Sequence, residues 1–130
     1  MILDTSFIID LMDGLPEAEE KLRILDKKKE VQFVAAPTIF ELWSGIEQSK
    51  KPEEEKLKVF AVLSTQTVLN LDNNSAEEAG KIDGQLAKQG KPIEPEDSMI
   101  AGIAKSNDET VLTRNIAHFS RIKDLKIETY

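Results

Sequence analysis

Short apolar segments alternate with longer segments of helical periodicity along the whole chain, and this alternation constrains the fold more than any other feature. Five segments read as strands: Met1–Thr5, Val31–Ala36, Thr67–Leu71, Thr110–Thr113 and Leu125–Thr129. Strands that alternate with helices form a parallel sheet that is covered by helices on both faces. The sequence therefore predicts an α/β fold, a three-layer sandwich around a central parallel sheet of four to five strands.

The segments between the strands carry apolar residues three and four positions apart, which is typical of amphipathic helices. The helix candidates are 7–12, 17–30, 38–48, a segment that opens at Pro52, 75–89, 95–106 and a turn at 115–119. Ser75 and Glu78 have the spacing of a capping box, and Pro95 can open a helix. No repeat or linker interrupts residues 1–130, so we expect a single domain.

Composition excludes several kinds of site. The 130 residues contain no cysteine and one histidine, His118. A disulfide framework, a zinc–thiolate site, an iron–sulfur cluster, a thiol nucleophile and a multi-histidine metal cage are therefore excluded. No apolar run approaches a membrane span and no signal peptide is visible, so we expect a cytoplasmic protein without a membrane segment.

Acidic residues follow the predicted strands at the sheet edge where ligand sites of such folds lie. Asp4 follows the first strand, Glu41 lies one turn into the helix after the second, and Asp97 lies in the first turn of the helix opened by Pro95. Three carboxylates in one concave site repel each other unless a cation lies among them. Oxygen ligands without histidine or cysteine suit Mg²⁺ or Mn²⁺. Such an ion can activate water and stabilise charge on a phosphate.

Each acid also has a purely structural explanation. Asp4 could cap the helix that follows it. Thr38 and Glu41 fit a capping box, and Asp97 could be favoured only by the positive end of its helix. The coincidence of three acids at the ends of three successive layers of one α/β sheet favours the metal site, but the sequence leaves these alternatives open.

Four stretches give the chain a specific resemblance. They are Leu3–Asp10, Pro37–Leu42, Glu96–Ala101 and Leu112–Phe119. In these stretches, their order and their separations, the chain resembles the PIN-domain ribonucleases, and within them the VapC-type toxins of toxin–antitoxin pairs. The resemblance covers essentially the whole chain. It implies a single PIN-like domain over residues 1–130 and a metal-dependent endoribonuclease.

The resemblance also assigns roles to residues. Asp4, Glu41 and Asp97 would be catalytic acids that coordinate Mg²⁺ or Mn²⁺. Asn115 stands where many PIN domains have a fourth acid, which puts a second tightly held metal in doubt. His118 stands where relatives often have Asp, and we expect it to have a surface or packing role.

Hydroxyl and basic residues complete the expected pocket. Ser6 and Thr113 match positions at the pocket floor, where they could orient a carboxylate or a water, although capping and strand-end hydrogen bonds explain them equally well. Arg114 is the residue we expect to contact the RNA substrate. Lys105 and Lys123, with Arg121, are further candidates beside the site, although most such cations are ordinary solvated surface.

Partners follow from the same resemblance. It implies a homodimer and a cognate antitoxin whose helix or tail lies in an apolar groove. Trp43, on a helix with more apolar residues than one face can bury, is a candidate for that groove or for a dimer contact.

Other functions fit less well. A haloacid-dehalogenase-type phosphatase needs a second Asp at position 6, which is Ser here, and a response-regulator receiver needs an acidic neighbour for Asp4. A dinucleotide fold lacks its glycine motif. The alternative that stays open is a catalytically inert PIN-like module that acts by binding protein or RNA.

The charge distribution agrees with a metal-dependent site. The net charge of −7 argues against simple electrostatic binding to nucleic acid. Most of the excess lies in residues 1–13, which carry −3, and residues 72–97, which carry −4. Both segments contain a proposed metal-binding acid. An acidic pocket repels RNA when empty and can accept it once a divalent cation is bound.

Overall fold

Five short strands form one parallel sheet. The computed structural model describes residues 1–130. The strands are β1 (Ile2–Leu3), β2 (Phe33–Ala35), β3 (Thr67–Leu69), β4 (Val111–Leu112) and β5 (Ile127–Glu128). Their order is β3-β2-β1-β4-β5, and every neighbouring pair is parallel. The predicted α/β fold with a central parallel sheet is confirmed, and β1 occupies the middle of the sheet.

Seven helices connect and cover the strands. They are α1 (Thr5–Met12), α2 (Pro16–Lys27), α3 (Ala36–Gln48), α4 (Pro52–Leu63), α5 (Asn73–Lys88), α6 (Pro95–Ser106) and α7 (Ile116–Phe119). Each lies where the periodicity predicts a helix, with ends that differ by a few residues. None of them is both long enough and apolar enough to cross a membrane.

The caps of two helices differ from their prediction. The helix α3 begins at Ala36, so Thr38 lies inside it and is buried. The predicted capping box of Thr38 and Glu41 is therefore wrong, because Pro37 lies in the first helical turn and starts the helix earlier. The helix α5 is capped by Asp72, which forms a reciprocal box with Ser75. The predicted pairing of Ser75 with Glu78 is wrong because Asp72, a strong N-cap residue, precedes Ser75.

The sheet separates two apolar cores because successive strand residues point to opposite faces. On β1, Ile2 belongs to one buried cluster and Leu3 to the other. The first cluster is completed mainly by α5 and α6, and includes Ile82, Leu86, Ile100 and Ile103. The second is completed mainly by α1, α3 and α4, and includes Phe7, Ile8, Leu42, Ile46 and Val59. The carboxyl ends of the strands lie between these layers.

The helices α5 and α6 pack closely at Gly102. A Cβ atom at this position would lie 2.6 Å from the Ser75 carbonyl oxygen and 2.7 Å from both Cβ and N of Ala79. Only a residue without a side chain allows this approach. The close packing fixes α6, which carries Asp97 in its first turn.

Candidate metal centre

Asp4 lies buried at the carboxyl end of β1 and caps α1. Its Oδ2 accepts hydrogen bonds from the Ser6 hydroxyl at 2.8 Å and the Thr113 hydroxyl at 2.7 Å. Its Oδ1 is buried and has no hydrogen-bond partner. A buried carboxylate oxygen without a partner is costly, so capping alone does not explain this residue. A cation at the carboxyl edge of the sheet would satisfy this free oxygen.

The two hydroxyls tie this edge of the sheet together. The Ser6 and Thr113 hydroxyl oxygens lie 3.2 Å apart. The Ser6 oxygen also accepts from the backbone N–H of Arg114 at 3.1 Å, and the Thr113 oxygen accepts from the N–H of Asn115 at 2.8 Å. The start of α1 and the segment after β4 therefore hold Asp4 in a single orientation.

Glu41 approaches the same edge from α3. Its carboxylate accepts a hydrogen bond from the Thr5 hydroxyl at 2.8 Å. The pKa of Glu41 is raised to about 7, mainly by burial and also by the nearby charges of Asp4 and Asp97, against the opposing effect of the Thr5 bond. The carboxylates therefore lie close enough to repel each other, and a cation between them would relieve that repulsion.

Asp97 is held by two side chains from the segment after β4. Its Oδ2 accepts from Nδ1 of His118 at 2.7 Å and, more weakly, from the amide of Asn115 at 3.4 Å. Burial raises the pKa of Asp97, while the hydrogen bond from His118 opposes that shift. The predicted surface or packing role of His118 is wrong, because the ring contacts a site carboxylate.

The donor set fits a small divalent cation. No three histidine, aspartate or glutamate side chains stand in the arrangement of a complete metal-binding cluster. However, Mg²⁺ is usually bound through one or two carboxylates and keeps several waters that substrate phosphates can replace. Asp4 and Asp97, with the unpartnered Oδ1 of Asp4, meet that requirement.

Arg114 lies beside the site and is itself anchored. Its Nη1 forms an ion pair with Oδ1 of Asp10 at 2.8 Å, while 61% of the Arg114 side chain stays exposed. The other oxygen of Asp10 accepts from the Tyr130 hydroxyl at 2.6 Å. The sequence pattern assigns no role to Asp10, which ends the stretch Leu3–Asp10, or to Tyr130. The one available signal was an acid three positions after Phe7, on the buried side of α1.

The other basic candidates lie elsewhere. Lys105 is eight residues after Asp97 on α6, or about 12 Å along the helix axis. It pairs with Glu78 at 3.3 Å and donates to the carbonyl of Lys123 at 3.4 Å. These residues line a separate cleft with Arg121, so the prediction that they flank the site is wrong.

Comparisons with known proteins agree with this geometry. The PIN domain family matches residues 1–125. A tRNA(fMet)-specific endonuclease VapC from Shigella flexneri is 32% identical over 129 residues, which cover 99% of this chain and 96% of the relative. The structure of VapBC2 from Rickettsia felis bound to a promoter DNA fragment superposes with a TM-score of 0.90 at 25% identity, covering 99% of this chain and 97% of that one.

The DNA-bound VapBC structure from Salmonella typhimurium superposes with a TM-score of 0.88 at 33% identity, and covers 98% of this chain and 96% of that chain. The matches thus span nearly the full length of this chain and of its relatives, including all four stretches that carry the resemblance. The chain belongs to the PIN-domain family, among its VapC ribonucleases.

Proposed function

We propose that residues 1–130 form one PIN-like domain that acts in the cytoplasm as a metal-dependent endoribonuclease, the toxin of a toxin–antitoxin pair. One observation carries the proposal: Oδ1 of Asp4 is buried without a partner beside two further carboxylates. Relatives that match the whole chain are named ribonucleases or tRNA(fMet)-specific endonucleases. A buried carboxylate oxygen without a partner beside other acids lowers stability, and in an inert PIN-like module no bound cation would offset that cost.

Asp4 and Asp97 would hold Mg²⁺ or Mn²⁺. When bound, the cation lowers the pKa of a coordinated water and offsets negative charge on the phosphate under attack. Ser6 and Thr113 would leave Oδ1 of Asp4 free to hold the cation, since both bond to the other oxygen.

Glu41 would take the proton from the attacking water or hold a water on the cation. Its pKa of about 7 in the metal-free chain would fall beside a bound cation, which would leave the carboxylate ionised and able to accept a proton at neutral pH. The hydroxyl of Thr5 orients the carboxylate. Arg114 would contact a phosphate of the RNA through its exposed guanidinium, which Asp10 holds beside the site.

The central test replaces Asp4 or Asp97 by Asn and measures RNA cleavage with Mg²⁺ or Mn²⁺. The panel should include tRNA(fMet), the RNA in the names of the Shigella and Salmonella relatives. We expect each variant to lose activity by about a thousandfold, since cation binding contributes several kcal/mol to transition-state stabilisation.

The matched control is Asp124→Asn, the same exchange at an exposed position with a positive φ that Asn tolerates. It should cleave like the unmodified chain. Undiminished cleavage by both Asp4→Asn and Asp97→Asn would end the proposal.

We further propose that the antitoxin covers the outer surface of α3 and α4. Phe40 and Leu57 are 63% and 70% exposed there, and Phe60 is half exposed. Trp43 packs edge-to-face on Phe60 at 6.0 Å, with Lys56 over both rings. A surface of this kind is typical of an interface with another protein. Relatives of similar fold are described as VapBC complexes, which supports an antitoxin as the occupant.

A homodimer is a further proposal and rests on the family resemblance. Sedimentation equilibrium of the purified chain without antitoxin tests it. A monomer at micromolar concentration would contradict it.

A further inference from the structure

Asp4 and Asp97 share a hydrogen-bonding pattern. Each carboxylate has one oxygen, Oδ2, that accepts bonds from neighbouring side chains. No hydrogen bond reaches the other oxygen of either residue: Oδ1 of Asp4 is buried and unpartnered, and Oδ1 of Asp97 makes no hydrogen bond. Each aspartate therefore has one fixed oxygen and one free oxygen.

His118 makes the principal contact on the Asp97 side. Its Nδ1 lies 2.7 Å from Oδ2 of Asp97, within the range of a strong charge-assisted bond. The Asn115 amide lies 3.4 Å from the same oxygen, at the weak limit of hydrogen bonding, but only 2.9 Å from Nδ1 of His118. While Nδ1 donates its proton to Asp97 it cannot also accept the Asn115 N–H, so His118 is the principal donor to Asp97 and Asn115 adds only the weak 3.4 Å bond.

One short segment holds both aspartates. Thr113, which bonds to Asp4, is the first residue after β4, and His118, which bonds to Asp97, follows in α7. The two free oxygens are thus set relative to each other by residues 113–118.

We propose that His118 is a positioning residue that occupies Oδ2 of Asp97, so that Asp97 offers only Oδ1 to a divalent cation. The inference rests on the proposed metal site and deepens it. With one oxygen from each aspartate, the pocket binds one cation tightly and leaves its remaining positions to waters and to the substrate phosphate. A partner that fixes a ligand's orientation commonly changes metal affinity by about 10- to 100-fold.

The role requires a hydrogen-bond donor at the Nδ1 position and does not require the imidazole ring or its charge. Asn at position 118 would place its amide nitrogen at the same number of bonds from Cα as Nδ1 of His. His118→Asn therefore keeps the donor, and His118→Ala removes it. Ser120→Ala is the matched control, because Ser120 is exposed at the end of the same helix and does not touch Asp97.

The test is calorimetric titration of the whole, metal-free chain with Mn²⁺ in the absence of RNA. We expect one tight site in the unmodified chain and at least a roughly 10-fold loss of affinity in His118→Ala. His118→Asn and Ser120→Ala should bind Mn²⁺ within about threefold of the unmodified chain, since the donor to Asp97 is intact in both. Thermal unfolding in chelator verifies that every variant is folded.

Three results would overturn the inference: unchanged affinity in His118→Ala, an affinity of His118→Asn as low as that of His118→Ala, or two tight Mn²⁺ sites in the unmodified chain. The failure of the proposed function looks different. If Asp4→Asn keeps both Mn²⁺ binding and RNA cleavage, the metal site itself is wrong. If Asp4→Asn loses both while His118→Ala binds Mn²⁺ normally, only the positioning role fails.

Discussion

The helices α6 and α3 lie on opposite faces of the sheet, and each brings one acid to the site, but the protein holds them differently. Seven of the twelve residues of α6 are buried, and Gly102 lets it pack directly on the backbone of α5. In α3, Phe40 is largely exposed, and a side chain added at Gly45 would meet nothing within 4 Å. The Asp97 helix is therefore locked in place, whereas the Glu41 helix has a free outer side.

The side-chain contacts follow the same division. Asp97 receives bonds from His118 and Asn115, while Glu41 receives one bond, from Thr5. We infer that Asp4 and Asp97 form the preorganised part of the site, and that Glu41 is the acid whose position and protonation respond to a bound cation or to a protein partner on α3.

The largest effect on stability is expected from Gly102→Ala. The added methyl group would overlap the Ser75 carbonyl and Ala79, so that α6 must move away from α5. Overpacking of this kind costs about 1–3 kcal/mol, and contact with rigid backbone favours the upper end of that range. Urea unfolding measures the change in free energy. A variant as stable as the unmodified chain would show that α6 is not locked.

A change of pH is expected to have a smaller effect on the stability of the metal-free chain. The pKa of Glu41 is about 7 in the folded chain against an ordinary value of 4.5. Between these values the folded chain keeps a proton that the unfolded chain has lost, so stability falls as pH rises through this window. The melting temperature in chelator should drop between pH 5 and pH 8, and Mn²⁺ should restore it at pH 8.

Glu41→Gln provides the control for that pH dependence. The variant has no proton to release at position 41, so its melting temperature should fall less between pH 5 and pH 8. Asp97, whose pKa is also raised, contributes a residual dependence in the same direction. An identical pH profile for Glu41→Gln and the unmodified chain would mean that neither burial nor the neighbouring charges raise the pKa of Glu41.

Gly45→Ala is expected to raise the free energy of unfolding, whereas Gly102→Ala is expected to lower it. The position is helical and open, so alanine should stabilise α3 by about 0.5–1 kcal/mol through its better helix propensity. The same exchange at two helical glycines should thus destabilise one helix and stabilise the other, as measured by urea unfolding. A loss of stability at Gly45 would show that α3 is packed on its outer side after all.

The sequence predicts the parts of this comparison that depend on local pattern. Alternating apolar segments predict the strands and the helices, and the positions of Asp4 after β1 and Glu41 in the helix after β2 predict that both lie at the carboxyl edge of the sheet. What the sequence does not predict are contacts across long separations. His118 lies 21 residues from Asp97, and Tyr130 lies 120 residues from Asp10, so no local spacing marks either pair.

The helix starts were ambiguous for a different reason, since more than one residue offered a valid signal at each. Asp72 and Ser75 are both good caps, and Pro37 can end a strand or open a helix. The packing of the finished fold decides between such signals. The free side of α3 is likewise a tertiary property, because helical periodicity does not tell which of several apolar faces stays uncovered.

The smallest effect on the stability of the chain without antitoxin is expected from the double variant Phe40→Ser, Leu57→Ser. Both side chains are mostly exposed, so stability should change by about 0.5 kcal/mol or less. Binding of the co-expressed antitoxin should weaken by at least about 30-fold if these residues are interface anchors. Val31→Ser, at an equally exposed valine in the loop before β2, is the control and should bind the antitoxin normally. If the double variant loses stability but still binds the antitoxin, Phe40 and Leu57 serve packing and not antitoxin binding. The outer side of α3 would then be packed, as α6 is.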